Sequence, residues 1–249
     1  VRTFLSNILY SENGINDFSK LEKISQFPNR EHFKKFVKDF QKINEIYSNW
    51  KDVQDYINLD NRIKLFKTHH VNCKIENYSF TDNSNSLGVI YIVRDPRTVL
   101  AKKFILNEKN WVGFNFDEKN KNLLSKVPTL ISSWRVNYLS WKNKIQNYLL
   151  IKYEDLIDDP NEQFYKITEY LEKLMKCKFD KSKIDNAIKS TSFDELQKLE
   201  KKGYFNEYDK ETKFFNLGPK NDWKNMLNDE IVSEINLKFK SEMIELGYL

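Results

Sequence analysis

Two short runs constrain this chain more than anything else in it. Gly88-Val89-Ile90-Tyr91-Ile92-Val93 and Tyr148-Leu149-Leu150-Ile151-Lys152-Tyr153 are almost unbroken strings of β-branched, aliphatic or aromatic residues. Such strings suit strands buried on both faces, as in a parallel sheet covered by helices. A third run, Ile63-Lys64-Leu65-Phe66-Lys67, is of the same kind but more polar. Helix-like material follows each run. Pro96 suits a first helical turn. Leu130, Ile131, Trp134, Tyr138, Trp141 and Ile145 make one apolar stripe at helical spacing, and Phe164, Ile167, Tyr170 and Leu171 make another. Ile231, Ile235, Phe239 and Met243 predict a last helix that Gly247 can cap. Residues 1–60 read as helices broken at Pro28, the first already under way at Val1-Arg2-Thr3-Phe4. Strands alternating with helices predict an α/β fold around a parallel sheet. With no internal repeat and no low-complexity linker, residues 1–249 are expected to form a single domain.

Composition narrows the function. Apolar residues make up 40% of 249, enough for a sizeable core and too many for a disordered chain. No apolar run reaches the roughly 18 residues of a membrane span. Cys73 and Cys177 are too few for a disulfide framework or a cysteine-rich zinc site, which leans towards a reducing, cytoplasmic setting. The net charge of +5 is spread among acidic residues. It forms no nucleic-acid stripe and suits an anionic small ligand.

In open parallel sheets, ligands bind beyond the carboxyl ends of the strands. There this chain places Lys67-Thr68-His69-His70, Arg94-Asp95-Pro96-Arg97, and Tyr153 followed by Glu154-Asp155. Together these can bind an anion and move a proton. Each also has a plain structural reading: a polar turn, a salt-bridged helix start, and a core tyrosine. No metal is expected. Adjacent His69 and His70 point to opposite faces of an extended chain, and no third ligand sits at a recognisable spacing.

Taken in order, these segments resemble the sulfotransferase domain family, over essentially the whole chain. The quoted stretches are Ile63 to His69, Val89 to Ala101, Leu149 to Pro160 and Phe214 to Asn225, with a family-like ending at Glu245-Leu246-Gly247-Tyr248. The resemblance implies a P-loop NTPase-like three-layer fold, a central parallel sheet flanked by helices. It implies transfer of a sulfuryl group from 3'-phosphoadenosine 5'-phosphosulfate to a hydroxyl or amine. Lys67-Thr68-His69 matches the segment carrying the catalytic histidine, so His69 is the implied general base, with Lys67 beside it. Arg94 matches the arginine for the 3'-phosphate, and Tyr153 a nucleotide-contacting tyrosine. Thr191-Ser192-Phe193 matches the segment near the adenine, and Gly218 opens the late element Gly218-Pro219-Lys220-Asn221-Asp222-Trp223-Lys224-Asn225.

The chain departs from the family pattern in three places. The phosphate loop, roughly Pro-Lys-Ser-Gly-x-Thr-Trp, and the strand before it do not occur in this sequence. The expectation is a chain truncated at that loop, and inactive as it stands. Where the family places a serine eight residues after the arginine, Lys102 stands, a point charge that can still meet a phosphate. Where the family has Arg-Lys before glycine, Asn216-Leu217 stands, so two cations are gone unless Lys102, Lys213 or Lys220 replaces them.

Sulfuryl transfer resembles phosphoryl transfer in needing positioning and electrostatics, and a histidine suits a base at neutral pH. On an extended segment Lys67 and His69 share a face. A non-catalytic binding protein of the same fold, or another P-loop kinase, are the alternatives. The kinase would need a Walker loop and Mg²⁺ ligands, and neither is visible. The acceptor, a small molecule or a carbohydrate, and the oligomeric state are not written in the sequence.

Overall fold

A computed structural model describes residues 1–100, 111–112, 127–205, 215 and 222–249. In chain order, the first elements are helices α1 (Arg2–Tyr10), α2 (Arg30–Phe33), α3 (Ile43–Tyr47) and α4 (Trp50–Ile57). The strands β1 (Lys74–Ile75), β2 (Tyr78–Ser79) and β3 (Val89–Val93) come next, then α5 (Pro96–Leu100), β4 (Trp111–Val112) and β5 (Thr129–Leu130). The remainder is α6 (Trp134–Trp141), β6 (Tyr148–Lys152), α7 (Tyr153–Asp158), α8 (Pro160–Met175), α9 (Lys181–Ser190), α10 (Phe193–Lys201), α11 (Asp229–Lys238) and α12 (Lys240–Glu245). A 3₁₀ helix of six residues occupies Phe18–Lys23 and a single 3₁₀ turn Trp223–Asn225. The chain is thus α/β, and it divides into two compact units.

One unit comprises residues 26–150 and 223–249. Here β3 neighbours β6 in a sheet. Val89 N–H donates to the Asn147 carbonyl at 2.9 Å, so the two strands start side by side and run parallel. Ile92 of β3 is 43% exposed, so the strand is not buried on both faces as its apolar run predicted. In the described residues it has one strand neighbour, and the pleat turns alternate side chains away from the core. The run Ile63–Lys67 does not become a strand. Ile63 and Phe66 are exposed, Lys64 turns back to the Ile57 carbonyl and Asp60, and Lys67 alone makes a parallel bridge, to Gln26.

Two apolar clusters fill this unit. One gathers Phe27, Phe33, Ile46, Trp50, Val53, Phe80 and Trp141. The other packs Val93, Trp134 and Tyr138 against Ile235, Phe239, Met243 and Leu246. The helix expected across Leu130 to Ile145 begins at Trp134. Ser132 is left-handed at φ +62°, and the Ser133 hydroxyl accepts from Val136 N–H as an N-cap. The predicted last helix is two, joined at Phe239. Gly247 does end it. At φ +71° its N–H reaches the Ile244 carbonyl at 3.1 Å, and Tyr248 N–H reaches the Met243 carbonyl at 2.8 Å.

The other unit comprises residues 1–25 and 151–222. Its core is helical. Phe4 of α1 stacks on Phe164 of α8, ring centroids 4.2 Å apart, and Ile8, Ile167, Leu171, Ile184 and Ala187 are buried with them. Local chemistry sets the boundaries. Asp159, Asp180 and Ser192 cap α8, α9 and α10 through their side chains, and Pro160 takes the first turn of α8.

Candidate active site

Lys67, Thr68, His69 and His70 form an irregular segment. The Thr68 hydroxyl accepts from His70 N–H at 3.0 Å, which turns the chain. The two histidines come out differently. His70 is fully buried. It stacks on Phe80 with centroids 4.2 Å apart and planes at 2°, and meets Trp50 edge-on. Its Nδ1 lies 2.7 Å from the Val71 carbonyl. A carbonyl only accepts, so Nδ1 carries the proton. Burial pushes this imidazole down to about 4, against the opposing effect of that bond.

His69 is exposed. Protein atoms around part of its ring, and next the Lys67 ammonium, hold it below the usual histidine value. Water at the accessible face screens both effects. At neutral pH His69 is therefore an uncharged imidazole able to accept a proton, and Lys67 is close enough for its charge to be felt there.

Arg94 follows the last residue of β3 and is half-buried. Its carbonyl accepts from Trp134 Nε1 at 3.0 Å. Asp95 holds the turn. Its Oδ1 accepts from Arg97 N–H at 2.9 Å, and its two oxygens take the Arg97 guanidinium in a bidentate pair at 2.7–3.1 Å. The salt-bridged helix start weighed for Arg94 is thus made by Arg97, whose guanidinium also reaches the Tyr248 carbonyl at 2.8 Å.

In the other unit, Tyr153 opens α7 directly after β6 and is half-buried. The Thr191 hydroxyl donates to the Ala187 carbonyl at 2.7 Å, and the Ser192 hydroxyl accepts from Glu195 N–H at 3.4 Å. Both hydroxyls therefore finish one helix and start the next. Half-buried Phe193 meets Phe215 edge-on at 6.4 Å. Lys102, Lys213, Asn216, Leu217, Gly218 and Lys220 lie outside the described residues. Among the described residues no group of three His, Cys, Asp or Glu side chains could hold a metal, and no helix is long and apolar enough to cross a membrane.

Sequence spacing placed Trp134 on an apolar helical stripe without giving it a site role, and it did not single out Arg97 or Asn137. Arg97 was visible only as the fourth residue of Arg94-Asp95-Pro96-Arg97, and the signal for Asn137 was a polar amide within the apolar stripe from Leu130 to Ile145.

Among curated proteins, the chain is 23% identical to Sulfotransferase 2A1 of Homo sapiens over 197 residues, covering 74% of this chain and 65% of that protein. It is 23% identical to Cytosolic sulfotransferase 6 of Arabidopsis thaliana over 206 residues, covering 74% and 58%. It therefore spans less than two thirds of the length of these relatives. A solved structure of mouse sulfotransferase SULT7A1 complexed with PAP matches 77% of this chain and 70% of its own, at 22% identity and a TM-score of 0.48. The sequence model of the sulfotransferase domain matches residues 3–247, a stretch that runs through both compact units, and the chain belongs to that family.

Proposed function

We propose that this chain carries the general base and nucleotide contacts of a protein that transfers a sulfuryl group from 3'-phosphoadenosine 5'-phosphosulfate to a hydroxyl or amine of a small-molecule or carbohydrate acceptor. The observation that carries the reading is the pairing of an exposed, uncharged His69 with the Lys67 ammonium on one clamped segment. When bound, the donor supplies an electrophilic sulfuryl group and a nucleotide leaving group. His69 takes the proton of the attacking hydroxyl or amine. Lys67 faces the negative charge that builds on the departing phosphate oxygen. An approaching anion offsets the influence of Lys67, which after burial is the lesser of the two effects that lower His69.

The residues carried over from the family pattern are assigned to an adenosine bisphosphate. Arg94 is the cation for the 3'-phosphate and Tyr153 a hydrogen-bonding ring for the nucleotide, each immediately after a strand. Thr191 and Ser192 shape the turn into α10, and Phe193 offers an apolar face to the adenine. Lys102 and Gly218 complete the set carried over from the family pattern.

The test pairs transfer with binding. His69→Ala should lower the sulfate-transfer rate of the intact protein by about 10²–10⁴-fold and leave the affinity for 3'-phosphoadenosine 5'-phosphate unchanged. Undiminished transfer in His69→Ala would overturn the assignment of the base. Binding of the bisphosphate with no transfer in the unmutated protein would point instead to a nucleotide-binding relative without catalysis.

A further inference from the structure

The inference rests on His69 as the base and concerns what aims it. Helix α6 sends side-chain N–H groups to three backbone carbonyls, one in the turn after β3 and two in the segment from Lys67 to His70. Trp134 Nε1 reaches the carbonyl of Arg94 at 3.0 Å, Asn137 Nδ2 that of His69 at 3.2 Å, and Trp141 Nε1 that of His70 at 2.9 Å. Positions 134, 137 and 141 lie three and four residues apart, so they share one face of the helix. The Ser140 hydroxyl adds a fourth tie, accepting from Asn72 N–H at 3.0 Å.

Asn137 is the most heavily committed of these side chains. Its amide also donates to the Ile131 carbonyl at 2.8 Å, and its Oδ1 accepts from the Tyr91 hydroxyl at 3.0 Å. Tyr91 sits on β3, three residues before Arg94. Burial holds its hydroxyl well above the usual tyrosine range, so it stays protonated and keeps donating. The Ile131 and His69 carbonyls only accept, so the amide nitrogen must face them, and Oδ1 is left to take the Tyr91 hydroxyl.

We propose that Asn137 is the positioning residue for His69: locked by Tyr91, it holds the His69 carbonyl and so aims an otherwise exposed imidazole at the reacting centre. An exposed side chain on an irregular segment samples several rotamers, and misplacement of a catalytic group by about 1 Å can cost about 10²-fold in rate. The bond is to the backbone, so it fixes the origin of the side chain without using either ring nitrogen.

The experiment uses Asn137→Ala, with Tyr91→Phe as a milder variant that keeps the ring and removes only the hydroxyl. Asn137→Ala should lower kcat by about 10–100-fold, with the acceptor KM and the affinity for 3'-phosphoadenosine 5'-phosphate unchanged. Tyr91→Phe should lower kcat less. In a His69→Ala background, Asn137→Ala should cost nothing further, because there is no base left to aim. An equal loss in both backgrounds would overturn the proposal and make Asn137 a general structural residue. So would full kcat in Asn137→Ala and Tyr91→Phe alike. A second readout needs no turnover. With three histidines in the chain, the His69 ring can be followed by NMR titration, and it should move towards the ordinary histidine value in Asn137→Ala as the ring leaves its partly enclosed position. If His69→Ala keeps transfer, the base assignment fails by itself, and the titration then decides the positioning. An unmoved His69 would overturn it.

Discussion

The Arg97 guanidinium lies over the ring of Trp223, 4.2 Å from its centroid, while its nitrogens grip both oxygens of Asp95. The ion pair is nearly buried, with side-chain exposures of 10% and 9%. One side chain thereby ties the turn after β3, which carries Arg94, to the 3₁₀ turn at Trp223 and to the carbonyl of Tyr248.

Arg97→Met keeps most of the bulk and removes the charge. It leaves Asp95 buried without its bidentate partner, and breaking such a pair costs about 3–5 kcal/mol. The urea midpoint should fall accordingly. Arg97→Lys should recover only part of the loss, because an ammonium cannot form the fork. A midpoint unchanged in both variants would show that the pair contributes no stability.

Arg94→Gln should act on binding instead. Loss of a charge-assisted bond to a phosphate is worth about 1.5–3 kcal/mol. Calorimetric affinity for 3'-phosphoadenosine 5'-phosphate should drop about 10–100-fold. Adenosine 5'-phosphate, lacking the 3'-phosphate, should bind both proteins alike. An equal drop for both nucleotides would remove Arg94 from the 3'-phosphate.

His70 carries a pH signature. Its imidazole is held at about 4 in the folded protein against 6.5 in the unfolded chain. Between these values the unfolded state binds more protons, so stability rises with pH across the window. It is fully retained above about pH 6.5 and lost progressively down to about pH 4, on the order of 3 kcal/mol for this group. His70→Phe keeps the stack on Phe80 and cannot titrate, so its unfolding free energy should fall less steeply than that of the unmutated protein from pH 7 to 4. Parallel curves would show that another group is responsible. His70→Ala, which a solvent-facing histidine would tolerate, should instead destabilise by about 2–4 kcal/mol through the cavity it leaves among Trp50, Phe80 and Trp141.

Gly14 tests the helical unit independently. It sits at φ +81°, and a Cβ there would lie 2.1 Å from the Lys183 carbonyl oxygen. Gly14→Ala combines left-handed strain with a backbone clash, at about 2–4 kcal/mol together. Thermal unfolding should move down by several degrees, and an unchanged Tm would mean that the loop from Ser11 to Gly14 relaxes freely.

What the sequence determined was local. Apolar spacing acts over a few residues, so the strand-to-helix alternation was legible, whereas the helix start at Trp134 was set by the Ser133 cap that the spacing did not show. Arg94 and Tyr153 do follow β3 and β6, as their place after an apolar run predicted, while His69 follows a segment that forms no strand. Which histidine faces water was not legible, because that depends on Trp50, Phe80 and Trp141 closing around His70 from three separate segments. The strand expected at Ile63–Lys67 reduced to one bridge because pairing needs a partner backbone, and among the described residues it is Gln26 that meets it. The clamp of Asn137 on His69 spans 68 positions and the reach of Arg97 to Tyr248 spans 151. Bonds at such separations depend on how packed elements bring distant carbonyls and side chains together, which no local pattern encodes.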